Sequence, residues 1–133
     1  MRARARELAR EDGQALIEGL LALGLVLLVI VVAAQAFAYA HARSVAAAAA
    51  QDGARTAAVD GAEAGVARAD AVLHAAGGAG SSLQASARVD SDEVTVRVAG
   101  SAPRLFGLSL LLPDVEARAS LPVERYPQAE AAP

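Results

Sequence analysis

The sequence predicts an α+β fold: a long N-terminal helix, then a short helix, then a small antiparallel sheet of about three strands. Three observations predict it. Gly19 to Ala40 is a run of 22 residues without a charge. His41 to Val59 continues in alanine, the best helix former, with Ala46 to Ala50 unbroken. The last third then changes to period 2, the mark of strands with one buried and one wet face.

Residues 1–13 alternate Arg and Ala without an apolar stripe, so no packed structure is predicted for them. The long helix is expected over 14–59, spanning a membrane in its first half. Its 22 uncharged residues would extend ~33 Å, enough to cross the hydrocarbon of a bilayer. Phe37 and Tyr39 fall at its far end, where an interfacial aromatic belt is expected. Gly53 is a weak point in the outer half, costing ~1 kcal/mol relative to Ala. The helix should break near Asp60-Gly61. A short helix is expected over Glu63 to Ala76, ended by the loop Gly77 to Ser82. Leu83 to Val89 and Val94 to Val98 alternate around the polar turn Asp90 to Glu93, which reads as a hairpin. Val115 to Val123 is the third strand, reached through the apolar loop Pro103 to Asp114. Pro122 suits a strand end. Arg88, Arg97, Arg118 and Glu116 should decorate the wet face. Residues 60–125 form the small domain, and the tail 126–133 is expected to be disordered.

Composition narrows the function classes. The chain has 133 residues, 55% hydrophobic but only 3% aromatic, so a soluble core would be thin. It has no cysteine, which removes disulfide and thiolate chemistry. All twelve basic residues are Arg, and the net charge of −3 does not favour a nucleic-acid partner. Four of those arginines precede the apolar run, and Arg43 alone follows it closely. That bias keeps the N-terminus in the cytoplasm and sends the C-terminal part out. His41 and His74 are the only histidines and sit in no metal-ligand pattern. There is no phosphate loop and no G-x-S-x-G. No cofactor, metal or catalytic residue is therefore expected, and the chain does not read as an enzyme.

The informative motif is Gly13-Gln14-Ala15-Leu16-Ile17-Glu18. A glycine closes a hydrophilic, arginine-rich leader; an acid stands fifth after it; a membrane-length apolar segment follows. An acid at the start of a membrane helix is unfavourable and asks for a partner. Gln14 and Glu18 are four apart and share a helix face. A chain cut after Gly13 would give Gln14 a free α-amine, and the Glu18 of one subunit could meet the Gln14 amine of the next.

This motif, the helix and the Asp52-Gly53-Ala54-Arg55 stretch resemble the TadE-like minor pilins, or pseudopilins, of tight-adherence (Tad/Flp, type IVb) pilus systems. The alternating segment Val115 to Glu124 is similar to that group as well. The resemblance covers nearly the whole chain, but only the N-terminal motif is specific. It implies a type IV pilin-like fold in the bacterial cytoplasmic membrane. It implies a prepilin peptidase that cuts between Gly13 and Gln14. It gives Glu18 the assembly and register role, with membrane lipid, other pilin subunits and the inner-membrane assembly platform as partners. Type IV pilins usually begin with an N-methylated aromatic residue, where this chain has Gln14. Major Flp pilins are short, so the further domain here favours a minor or priming subunit.

Two other readings stand beside it. Ala34-Gln35-Ala36 and the three overlapping A-x-A patterns up to Ala42 match ordinary signal peptidase sites, and cleavage there would release a secreted soluble binding domain. Against this, the apolar run exceeds the 7–15 residues usual for a signal peptide. The other alternative is an uncut single-span membrane protein.

Overall fold

A computed structural model describes residues 2–105 and 113–123, with side chains from Gln14 onward. The fold is α+β, as the sequence predicts. Helix α1 runs Arg2–Asp60 and α2 runs Ala62–Ala75. A 3-10 turn, Gly77–Ala79, leads to strands β1 (Leu83–Asp90), β2 (Glu93–Gly100) and β3 (Val115–Pro122). The sheet is antiparallel in the order β1-β2-β3. The apolar middle of the loop before β3 (106–112) and the tail 126–133 lie outside the described residues.

The helix begins at Arg2 and not at Gln14. Residues 2–13 need no apolar stripe to be helical. Their Ala, Arg, Glu and Leu all rank among the better helix formers. The break near residue 60 falls where expected. Gly61 has φ +94°, a left-handed backbone that L side chains rarely adopt.

The chain divides into two compact units, Met1–Ala36 and Phe37–Pro133. The first is α1 alone. From Leu16 to Ile30 every large apolar side chain in it is more than half exposed.

The second unit has two layers. The outer part of α1, from Phe37, packs with α2 and the sheet into a single apolar core. Ala42, Ala46, Ala49 and Ala57 recur at helical spacing along the buried face of α1. Against them stand Val94, Val96 and Val98 of β2, all fully buried. β2 is the central strand, so its apolar face is covered by helix and flanked by both neighbours. Small alanines on the helix leave room for branched valines on the sheet. That is how a core almost without aromatics buries its side chains. The two aromatics of the outer helix differ. Phe37 is 74% exposed, whereas Tyr39 packs against the core, so only Phe37 is open to serve an interfacial belt. The Phe37 ring stacks on His41 with centroids 6.2 Å apart.

Candidate functional site

Gln14 and Glu18, the residues the sequence singles out, are one helical turn apart on α1, and both are exposed. The Gly13–Gln14 peptide bond lies inside the same helix. Among the described residues, Glu18 makes no ion pair. Its surroundings are apolar, with Ile17 and Leu21 both at least 64% exposed. A carboxylate in such a setting has little to stabilise it within one copy of the chain. Gly19 and Gly24 lie just beyond, and an added Cβ at either would meet nothing within 4 Å. From Leu16 to Ile30, α1 is therefore an apolar surface with one charge, Glu18, which has no ion-pair partner among the described residues. The helix is long and apolar enough to cross a membrane. Burying its eleven large side chains from Leu16 to Ile30 would stabilise on the order of 20 kcal/mol at ~2 kcal/mol each.

The Asp52-Gly53-Ala54-Arg55 stretch has a clear structural role. α1 and α2 cross at two glycines. A Cβ built on Gly53 would stand 2.8 Å from the Gly65 carbonyl oxygen, 3.0 Å from Ala69 Cβ and 3.2 Å from Val96 Cγ1. A Cβ on Gly65 would stand 2.6 Å from the Gly53 carbonyl oxygen and collide with Ala57 Cβ. Asp52 flanks the crossing and accepts a hydrogen bond from Arg68 of α2 at 3.0 Å. It also pairs with Arg55 at 3.7 Å. Read as sequence, Gly53 is a weak point in an alanine-rich helix. The structure gives Gly53 and Gly65 one joint purpose, the closest approach of two helices. The signal was available: a glycine inside a helix otherwise rich in alanine.

The wet face of the sheet carries Ser86 and Arg88 from β1, Thr95 and Arg97 from β2, and Glu116, Arg118 and Ser120 from β3. Arg97 and Arg118 are directly opposite one another. Like charges so placed are destabilising unless an acid stands between them. Glu116 supplies it. It accepts from Arg97 Nε at 3.1 Å and Arg97 Nη2 at 3.0 Å, and from Arg118 Nε at 2.6 Å. Those hydrogen bonds, first from Arg97 and then from Arg118, hold its carboxyl down to about 2. Beside this cluster, Thr95 and Ser120 share a hydroxyl hydrogen bond at 2.7 Å.

A pH dependence follows. A depressed carboxyl contributes stability in full above its unfolded value of ~4.3, and that contribution disappears as pH falls toward about 2. The group is exposed, so the effect is small. Thermal unfolding followed between about pH 5 and about pH 2 should show Glu116→Gln losing less of its stability on acidification than the unsubstituted chain. Identical acid profiles would remove Glu116 as a contributor.

Comparison with protein-family models, curated proteins and solved structures found no match to this chain.

Proposed function

We propose that this chain is a minor pilin or pseudopilin subunit. A prepilin peptidase cuts it between Gly13 and Gln14, and it joins or primes a Tad-type pilus or a related secretion pseudopilus. One observation carries the reading: Gly13, Gln14 and Glu18 head an apolar helix that has no internal cover and whose outer half is built into a folded domain. Before assembly, lipid covers the apolar stretch, with the N-terminus in the cytoplasm and the C-terminal domain outside. After assembly, the helices of neighbouring subunits replace the lipid. Glu18 then meets the α-amine of Gln14 in the next subunit, and this pairing fixes register. The assembly platform of the inner membrane supplies the site of incorporation.

Helical backbone across the Gly13–Gln14 bond means that a peptidase must first open the turn. Glycine lowers that cost, being ~1 kcal/mol less favourable than Ala in a helix interior. Co-expressed with a prepilin peptidase, the full chain is expected to lose residues 1–13. Gly13→Leu, which strengthens the helix and adds bulk at the bond, should stay full length. A full-length product from the unsubstituted chain, or continued cleavage of Gly13→Leu, would count against the reading.

The secreted-domain reading keeps one specific observation in its favour. The second compact unit starts at Phe37, next to the A-x-A pattern Ala34-Gln35-Ala36.

A further inference from the structure

We infer that Gln14, once it becomes the first residue, is a modification site: its side chain closes on the new α-amine to give a pyroglutamate, and Glu18 slows that closure. The inference rests on cleavage between Gly13 and Gln14. It accounts for a feature that the proposed function leaves unused. Pairing with Glu18 needs only an amine at position 14, which any residue supplies, and it makes no use of the glutamine carboxamide.

That carboxamide is placed to intercept its own amine. The α-nitrogen attacks Cδ, and the new C–N bond closes a small, unstrained lactam ring. The Cδ–Nε2 bond breaks. The proton given up by the α-nitrogen passes to Nε2, which leaves as ammonia. The step needs no oxidant, cofactor or second substrate. The structure leaves both groups free to react. Gln14 is exposed, and among the described residues its carboxamide makes no hydrogen bond. The backbone at Gln14 is helical, and a helix admits χ1 near −60°. That rotamer sets Cγ beside the nitrogen, as ring closure requires. After the cut, the amine belongs to the first turn of a helix, whose N–H groups have no intrahelical acceptor to hold them.

Only the unprotonated amine attacks, and two influences on it oppose one another. The positive end of the helix dipole disfavours an ammonium at this position. The carboxylate of Glu18, one turn on along the same face, favours it. Side chains on a helix lean toward its N-terminus, so Glu18 reaches back over the first turn. Among the described residues Glu18 makes no ion pair. It is therefore available to hold the ammonium of its own chain until a neighbouring subunit takes that place. A closed subunit has no amine to offer the Glu18 of a neighbour, so closure and assembly compete for one group.

The sequence contains no lysine. The α-amine of Gln14 is then the only primary amine of the cut chain, and an amine-reactive label reports it alone. The chain is made with residues 1–13 replaced by a leader that a site-specific protease removes in detergent, leaving Gln14 first. Cutting in this way creates the amine whether or not a prepilin peptidase accepts the chain, so failure of the inference is separate from failure of the processing it rests on. During incubation at neutral pH over days, label uptake should fall while the intact mass drops by one ammonia. Gln14→Asn, whose side chain would need a smaller, strained ring, should keep its amine. Glu18→Gln should close about twofold faster or more, the size expected of one exposed pair at this spacing, and high salt should shrink that difference. Full labelling at unchanged mass throughout would overturn the inference. So would a Glu18→Gln chain that closes no faster than the unsubstituted one.

Discussion

Gly65→Ala will lower the melting temperature of the full chain by several degrees at least, although the change improves helix propensity. Two effects oppose one another. Alanine in a helix interior gains ~1 kcal/mol over glycine. Against that gain, the new Cβ meets the Gly53 carbonyl oxygen at 2.6 Å, Ala57 Cα at 3.0 Å and Ala57 Cβ still closer. Two of these are backbone atoms and the third is a Cβ, so no rotamer change relieves the contact. α1 and α2 must move apart. That shift separates Ala69 and Leu73 from the core they share with β2. Overpacking of this kind costs ~1–3 kcal/mol or more, and it also loosens the Asp52–Arg68 pair beside the crossing. Each net 1 kcal/mol shifts the melting temperature of a domain this small by ~4–8 °C. Gly53→Ala should act in the same direction, since its Cβ would stand 2.8 Å from the Gly65 carbonyl oxygen. The two effects should not add, because either substitution alone already separates the helices. Calorimetry in detergent, with Ala67→Gly as a control for propensity alone, measures this. A melting temperature raised by Gly65→Ala would mean that the crossing is looser than described.

Glu18→Ala is expected to abolish most incorporation of the subunit into a pilus while leaving cleavage largely intact. Among the described residues the carboxylate makes no ion pair, and it sits among exposed apolar side chains. Its removal should therefore leave the fold unharmed, or slightly ease insertion into lipid. In the proposed assembly its value lies between copies, where a buried carboxylate is paired with an amine; removing one partner of such a pair costs ~3–5 kcal/mol. A loss of that size would reduce incorporation a hundredfold or more, at ~1.4 kcal/mol per factor of ten. Quantifying the subunit in sheared pilus fractions against total cellular protein separates assembly from expression. Incorporation equal to that of the unsubstituted chain would remove the proposed role of Glu18.

The strands were the most legible part of the chain. Val94, Val96 and Val98 alternate with Thr95 and Arg97, and a two-residue slip of reading would still leave the same face buried. β1, β2 and β3 accordingly appear close to their expected limits, and the turn Gly77 to Ser82 and the break at Gly61 fall where the glycines put them. What stayed hidden was tertiary. Gly53 and Gly65 are twelve residues apart, and each alone looks like a local weakness. Only the folded crossing makes them one feature. Arg97 and Glu116 were expected on the wet face, but their pairing depends on the register of β2 against β3, which alternation does not specify. Tyr39 and Phe37 look equivalent in an apolar run. They differ because Tyr39 falls on the face of α1 that packs against the core, whereas Phe37 is exposed. The N-terminal motif behaves in the opposite way. Gly13, Gln14 and Glu18 were conspicuous from spacing alone, yet among the described residues Glu18 makes no ion pair, and the chemistry proposed for these residues lies between proteins.

The intact mass of the mature protein, purified from its native host, decides whether the chain is processed as a prepilin. The expected species begins at Gln14, shorter by residues 1–13. A species beginning between Gln35 and Arg43 would contradict it, since the protein would then be a secreted domain without Glu18. A chain still carrying residues 1–13 would contradict it too, leaving an uncut protein with a single membrane-length helix.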